Sequence, residues 1–170
     1  MEFLELATKR YSVRAYKPDP VEDGKLQKVL EAAAMAPTPT NSQPFRLIVI
    51  HTAGNQDKLL EVYNRPWFVQ PPIVICCVGL QKDAWIRRDG RNYLDVAVAI
   101  AFDHLIMEAT DLGLGTCWVG QFEKDPARKF LGLPKDVEPI VFTPMGYPAD
   151  EPKEKKRKQV SDLIRYEKWQ

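Results

Sequence analysis

The sequence predicts an α/β or α+β fold in which helices cover a β-sheet. Short β-branched runs of strand length, apolar on both faces, occur at 45–51, 73–78 and 139–145, and stretches of helical periodicity separate them. The chain has 170 residues, 45% hydrophobic and 28% charged, a balance that suits one compact domain over 1–170 with a core of its own.

At the start, Phe3, Leu4 and Leu6 predict a short helix that ends near the basic stretch from Tyr11 to Arg14. Leu26, Val29, Leu30, Ala33 and Ala34 recur at helical spacing, which predicts a second helix over 22–35 that Pro37 and Pro39 stop. Residues 38–44 read as a polar loop, followed by a strand, a helical stretch over 55–63 and a second strand. Pro144 counts against the strand at 139–145. The stretch NYLDVAVAIAFDHLIMEATDLG reads as a long helix, with Asn92 placed to cap its start and Gly113 its end. Apolar residues surround it on nearly every side, so it is expected to be buried all round. In so small a chain a second subunit is the easiest cover, which makes this helix a candidate dimer core. From Asp150 the composition turns to the charged EPKEKKRK, before Val160, Leu163, Ile164, Tyr166 and Trp169 return. A tail that ends this way is expected to dock, on its own sheet or on a neighbour.

Lys and Arg number 24 against 23 Asp and Glu, so no bulk field favours nucleic acid or an anionic membrane. No apolar run reaches the length of about 20 residues that spans a bilayer, and the N-terminus lacks a signal-peptide pattern. Three cysteines make no closed disulfide framework, and the neighbours Cys76 and Cys77 would point to opposite faces of a strand. A cytoplasmic location is expected. His51 and His104 have no metal-ligand spacing, and His104 is expected to be a satisfied core residue; no metal site is predicted.

Arg10, Ser12 and Arg14 alternate with Tyr11 and Val13, so in extended backbone they share one face. Two guanidinium forks and a hydroxyl can grip a phosphate, although alone the pattern better fits a solvated face. The loop at 37–44 combines prolines with amides that donate and accept, as a flavin's pyrimidine edge requires; it can equally satisfy its own backbone. Gly113 and Gly115 miss the dinucleotide fingerprint because position 118 is Trp and they follow a helix rather than a strand. Gly115 is read as a turn leading into Thr116, Cys117 and Trp118. The basic run at 153–158 is solvated by default.

Together, KRYSVRAY, APTPTNSQPFRLIVI, ATDLGLGTCWVG and RKQVSDLIRYEKW resemble the nitroreductase family of FMN-dependent NAD(P)H oxidoreductases, in the family's order and spacing from Phe3 to Trp169. The resemblance implies an α+β fold with a helix-flanked, mainly antiparallel sheet, and a homodimer with the long central helix at the interface. It also implies two FMN sites between the subunits and a C-terminal extension, 150–170, over the partner. By position, Arg10, Ser12 and Arg14 would surround the FMN phosphate and ribityl chain, Tyr11 would contribute backbone, and Arg157 would complete the grip. Pro37, Thr38, Pro39 and Asn41 would reach the flavin from the other subunit, supported by Gln43, with Asn64 nearby. Thr116, Cys117, Trp118 and Gly120 would lie against the ring. The implied reaction is ping-pong: NADH or NADPH gives hydride to flavin N5, and a nitroaromatic, quinone or similar small acceptor follows, with no side-chain acid or base required. The alternatives are a flavin reductase or other FMN enzyme with a non-nitro acceptor, and a flavin-binding protein without turnover. Two departures from the family stand out: Phe45 replaces a common Trp, and 81–91 leaves little room for the helical insertions that shape the substrate pocket in longer members.

Overall fold

A computed structural model describes residues 2–169. Six helices, α1 (Phe3–Lys9), α2 (Asp23–Ala34), α3 (Gln56–Val62), α4 (Leu94–Asp111), α5 (Lys124–Leu131) and α6 (Val160–Leu163), accompany four strands, β1 (Phe45–His51), β2 (Ile73–Leu80), β3 (Gly115–Thr116) and β4 (Val137–Gly146). The strands form one sheet in the order β1-β2-β4-β3, antiparallel at every pairing. This is the α+β alternative.

Strand alternation decides how the layers form. Ile73, Ile75 and Cys77 of β2 face one core with Val98, Phe102 and Leu105 of α4 and Val29 and Ala33 of α2. Val74, Cys76 and Val78 face the opposite core, shared with Leu59 and Val62 of α3, Ala127 of α5, Phe68 and Phe142. The paired cysteines therefore serve different cores, and burial pushes the Cys77 thiol up to about 12.

Pro144 does not end β4. Phe142 exchanges both backbone hydrogen bonds with Val119, so Pro144, two residues on, turns its nitrogen toward the same β3 edge and away from β2. There the Cys117 N–H donates to the Thr143 hydroxyl at 3.0 Å in place of a ladder carbonyl. A register shift between Cys77 and Val78 leaves Ile140 as the extra residue of β4.

The long helix ends as expected. Gly113, at φ 78°, lets the Leu114 N–H reach the Ala109 carbonyl and its own N–H reach Thr110, a Schellman closure. At the start, the Asn92 side chain accepts from the Leu94 N–H at 2.7 Å. Burial all round is not seen in the single chain: Val96, Ala99, Ile100 and Met107 are half-exposed, and His104 is exposed rather than in the core. Its Nδ1 lies 2.9 Å from the Ile100 carbonyl. The helix packs against α2 and one face of the sheet, and Ile100 still touches the core between them.

Candidate functional site

The segment after α1 runs in extended form beside β3. Ser12 bridges Thr116 in parallel, and the Val13 N–H donates to the Thr116 carbonyl at 2.9 Å. The approach is possible because residue 115 has no side chain: a Cβ there would stand 2.7 Å from Val13 Cγ2. Gly115 is thus a close-contact glycine and not the expected turn, since its φ is not positive. With Val13 buried, the alternation turns Arg10, Ser12 and Arg14 to the other side, where all three line one cleft of about 360 Å³.

The opposite wall is the segment that follows β4. Asp150 ties it down: the Tyr11 hydroxyl donates to the Asp150 carbonyl at 2.7 Å, and the Arg14 N–H donates to Asp150 Oδ2 at 2.8 Å. Desolvation and the Asp150 carboxylate push the Tyr11 hydroxyl up to about 12, so it stays a donor. Lys153, Lys155, Lys156 and Arg157 also line the cleft, against the acids Asp150, Glu151 and Glu154. The basic run is therefore only partly a solvated face. Lys155 donates to the Ala7 and Thr8 carbonyls at the end of α1. Burial and the like charges of Arg10 and Arg157 hold its ammonium below the ordinary lysine range. Six basic side chains against three carboxylates leave the cleft with an excess of positive charge, which suits an anion.

From the cleft, residues 116–120 run along the sheet edge. Cys117 is buried beside it: burial raises its thiol, while Arg14, Ser12 and Arg10 pull the other way. The Cys117 and Val119 N–H groups are spent on Thr143 and Phe142. By strand alternation those of Trp118 and Gly120 face outward as donors. Trp118 is 44% exposed and meets Phe102 edge to face at 5.0 Å. Gly120 borders an open cavity of about 530 Å³ shared with Gln81, Asp95, Lys124 and Glu138.

Pro37, Thr38, Pro39, Asn41 and Gln43 do not line the basic cleft. Their loop holds a 3-10 turn, Pro39–Asn41, and positive φ at Thr40 (54°), Asn41 (56°) and Gln43 (46°). Such backbone costs on the order of 1–3 kcal/mol per residue and is characteristic of ligand clamps. The Thr38 hydroxyl accepts from the Gln43 N–H at 3.0 Å, and Ser42 Oγ is the buried side-chain polar atom without a partner among the described residues. The loop enters β1 at Phe45, in register with Gly79 and Glu138, whereas Thr116 is level with Met145. Those levels are six residues apart on β2, from Ile73 to Gly79, roughly 20 Å at 3.3 Å per residue. Asn64 is exposed between α3 and the 3-10 turn Pro66–Val69. That turn reaches the N-terminal segment: the Arg14 guanidinium carbon is 5.9 Å from the Trp67 ring centre, and Gln70 Oε1 accepts from the Tyr16 N–H at 3.1 Å. Trp67 and Gln70 carry no sequence signal, because only tertiary contact brings them here.

An antiparallel sheet covered by helices, with a basic cleft at one end and a strained polar loop at the other, defines the class. The nitroreductase family model matches residues 7–72 and 56–147, and the chain belongs to the nitroreductase family. A crystal structure of a nitroreductase family protein from Clostridium difficile 630 superposes with a TM-score of 0.92 at 39% identity, covering 99% of this chain and 100% of that one. An NADH dehydrogenase of Thermus thermophilus is 27% identical, over 85% of this chain and 86% of its own length. An FMN reductase [NAD(P)H] of Bacillus subtilis is 25% identical, over 92% of this chain and 70% of its own. No helix among the described residues is long and apolar enough to cross a membrane.

Proposed function

We propose that the chain is an FMN-dependent oxidoreductase that takes electrons from NADH or NADPH and works as a cytoplasmic homodimer. The convergence of Arg10, Arg14, Lys155 and Arg157 on one cleft carries the reading, because a terminal phosphate accepts from several cationic donors at once. Arg10, Ser12, Arg14 and Arg157 hold that phosphate, with Tyr11 and Asp150 fixing the cleft wall. The outward N–H groups of Trp118 and Gly120 then offer donors to the ring, and Thr116 and Cys117 form the shelf beneath it. When bound, FMN supplies two-electron transfer between the donor and a nitroaromatic, quinone or similar acceptor in a ping-pong cycle. The protein binds and orients; His51 and His104 are exposed and neither lines the basic cleft, so no imidazole holds a proton there.

Pro37, Thr38, Pro39, Asn41 and Gln43 line neither the basic cleft nor the cavity that Gly120 borders, so the loop is assigned to the flavin of the partner. The half-exposed flank of α4 supplies the interface, and 150–170 reaches over the other subunit; Val160, Leu163, Tyr166 and Trp169 are otherwise in solvent at 68%, 66%, 85% and 91% exposure.

Mass spectrometry of the cofactor released from purified protein tests the reading: FMN is expected, and FAD or a colourless protein that takes up no added FMN refutes it. Arg10→Ala is expected to weaken FMN by roughly 1.5–3 kcal/mol, about ten- to a hundredfold in Kd, without unfolding the chain. Bleaching of the bound flavin by NADH or NADPH, followed by reoxidation with nitroaromatics, quinones or free flavins in turn, separates an enzyme from a passive binder and identifies the acceptor class.

A further inference from the structure

Between β2 and α4, where little room was expected, the chain makes a tight hairpin over 84–93. Ile86 and Asn92 bridge antiparallel. The Arg87 N–H donates to the Arg91 carbonyl at 2.9 Å, the Gly90 N–H returns to the Arg87 carbonyl at 2.8 Å, and the Tyr93 N–H donates to the Trp85 carbonyl at 3.0 Å. Trp85 and Tyr93 meet edge to face at 5.1 Å beneath the turn, and the Arg87 and Arg91 guanidinium carbons lie 5.5 and 5.8 Å from the Tyr93 ring centre. The hairpin is therefore rigid and basic.

Its charges are not equally engaged. Arg87 is held by Asp89 and by the Tyr93 hydroxyl. Arg88 and Arg91 are exposed and have no carboxylate partner among the described residues. Two exposed arginines three residues apart on one fixed turn offer two forks to a dianion. The hairpin stands on Gln81 and Asn92, whose side chains meet at 3.4 Å. Gln81 also lines the open cavity whose other wall is Gly120, the far end of the segment that carries the ring. Arg88 and Arg91 do not line that cavity themselves. A small acceptor within that cavity would leave them free, and the adenosine end of a donor extending out of it past Gln81 would be the part to meet them.

We propose that Arg88 and Arg91 bind the 2′-phosphate of NADPH and make the chain selective for the phosphorylated donor. The inference rests on the flavin reading above. The group recognised is a phosphate monoester on the adenosine ribose, and an anionic substituent on the acceptor is the competing source of the same chemistry.

The test compares the FMN-loaded protein with its Arg88→Ala/Arg91→Ala variant, both first checked for flavin content. Calorimetry with 2′-AMP and 5′-AMP reads recognition apart from turnover: 2′-AMP is expected to bind about tenfold or more tighter than 5′-AMP, a difference the variant loses. In steady state with an uncharged quinone, the variant is expected to raise KM for NADPH by a similar factor, with kcat and the NADH parameters little changed, and Arg88→Lys/Arg91→Lys restores part of the preference. An unchanged NADPH to NADH ratio, an equal loss with both donors, or equal binding of the two nucleotides overturns the assignment and leaves the flavin reading standing. If only anionic acceptors respond to the variant, the arginines read the acceptor and the assignment also fails. A chain without FMN overturns both.

Discussion

At the scale of single residues, what the sequence makes legible is what depends on the nearest neighbours. The one-face display of Arg10, Ser12 and Arg14 follows from the period of extended backbone, and the structure brings all three to one cleft. Lys155 was hidden in a charged run, where no local rule separates a residue that meets the end of α1 from one that meets only water. His104 was misplaced because an apolar helix still has a flank, and the ring falls on it. Lys155 also carries a pH dependence. Burial, Arg10 and Arg157 depress its ammonium in the free chain, so it loses its proton at lower pH than an ordinary lysine. A bound phosphate reverses the Coulombic part and raises it again, so binding takes up a proton wherever the free chain has already lost one. FMN affinity is therefore expected to fall as the pH rises through the depressed range of Lys155. The phosphate is already largely dianionic above about pH 7 and does not mimic the trend. Fluorescence titrations of apoprotein with FMN from about pH 7 to about pH 10 measure it; Lys155→Met should bind FMN more weakly at neutral pH and lack this part of the slope.

At the scale of elements, the strongly periodic pieces were legible almost to the residue: β1, α2, α3 and α4 lie where their apolar patterns place them. The pieces that escaped have weak local signals. α5 has a proline in its first turn and only Ala127, Phe130 and Leu131 as apolar residues. β3 is two residues long and exists because β4 and the Ser12 segment flank it. β4 reads poorly because of Pro144, which is harmless only because of the side its nitrogen faces. Gly115 is the joint between these elements and the basic cleft. Its missing Cβ would stand within 2.7–3.0 Å of three Val13 side-chain atoms, and Val13 is buried and β-branched, with little freedom to turn. Gly115→Ala is expected to push the Arg10 to Arg14 segment off Thr116, lowering FMN affinity by more than it lowers thermal stability. Val13→Ala in the same chain opens the space, so the double variant should recover affinity relative to Gly115→Ala alone, a non-additive pair. Calorimetric FMN titration of the two single variants and the double decides it. Additive losses would show that the contact is not what aligns the cleft.

At the scale of the whole molecule, the sequence showed an excess of apolar surface without showing where it goes: Val160, Leu163, Ile164, Tyr166 and Trp169 of the tail are exposed, and Val96, Ala99 and Met107 of α4 are only half-buried. The proposed assembly gives each flavin a grip from one subunit, Arg10 with Ser12 and Arg14, and a loop from the other, and this has a consequence that no single-chain site shares. Let one chain carry Arg10→Ala with Arg14→Ala, which removes the grip. Let a second carry Thr38→Ala with Asn41→Ala, which removes the hydroxyl that accepts from Gln43 and an amide in the strained turn. Each homodimer then has two defective sites. In the mixed dimer, one site combines the damaged grip with the damaged loop, and the other is built wholly from unaltered residues, as two-fold symmetry requires. Co-expression of differently tagged chains, purification through both tags and measurement of bound FMN should therefore recover about one flavin per mixed dimer. With grip and loop serving a flavin within one chain, every site of the mixed dimer keeps a defect. A mixed dimer that binds FMN no better than its impaired parents would reject the shared site while leaving the basic cleft as the phosphate grip.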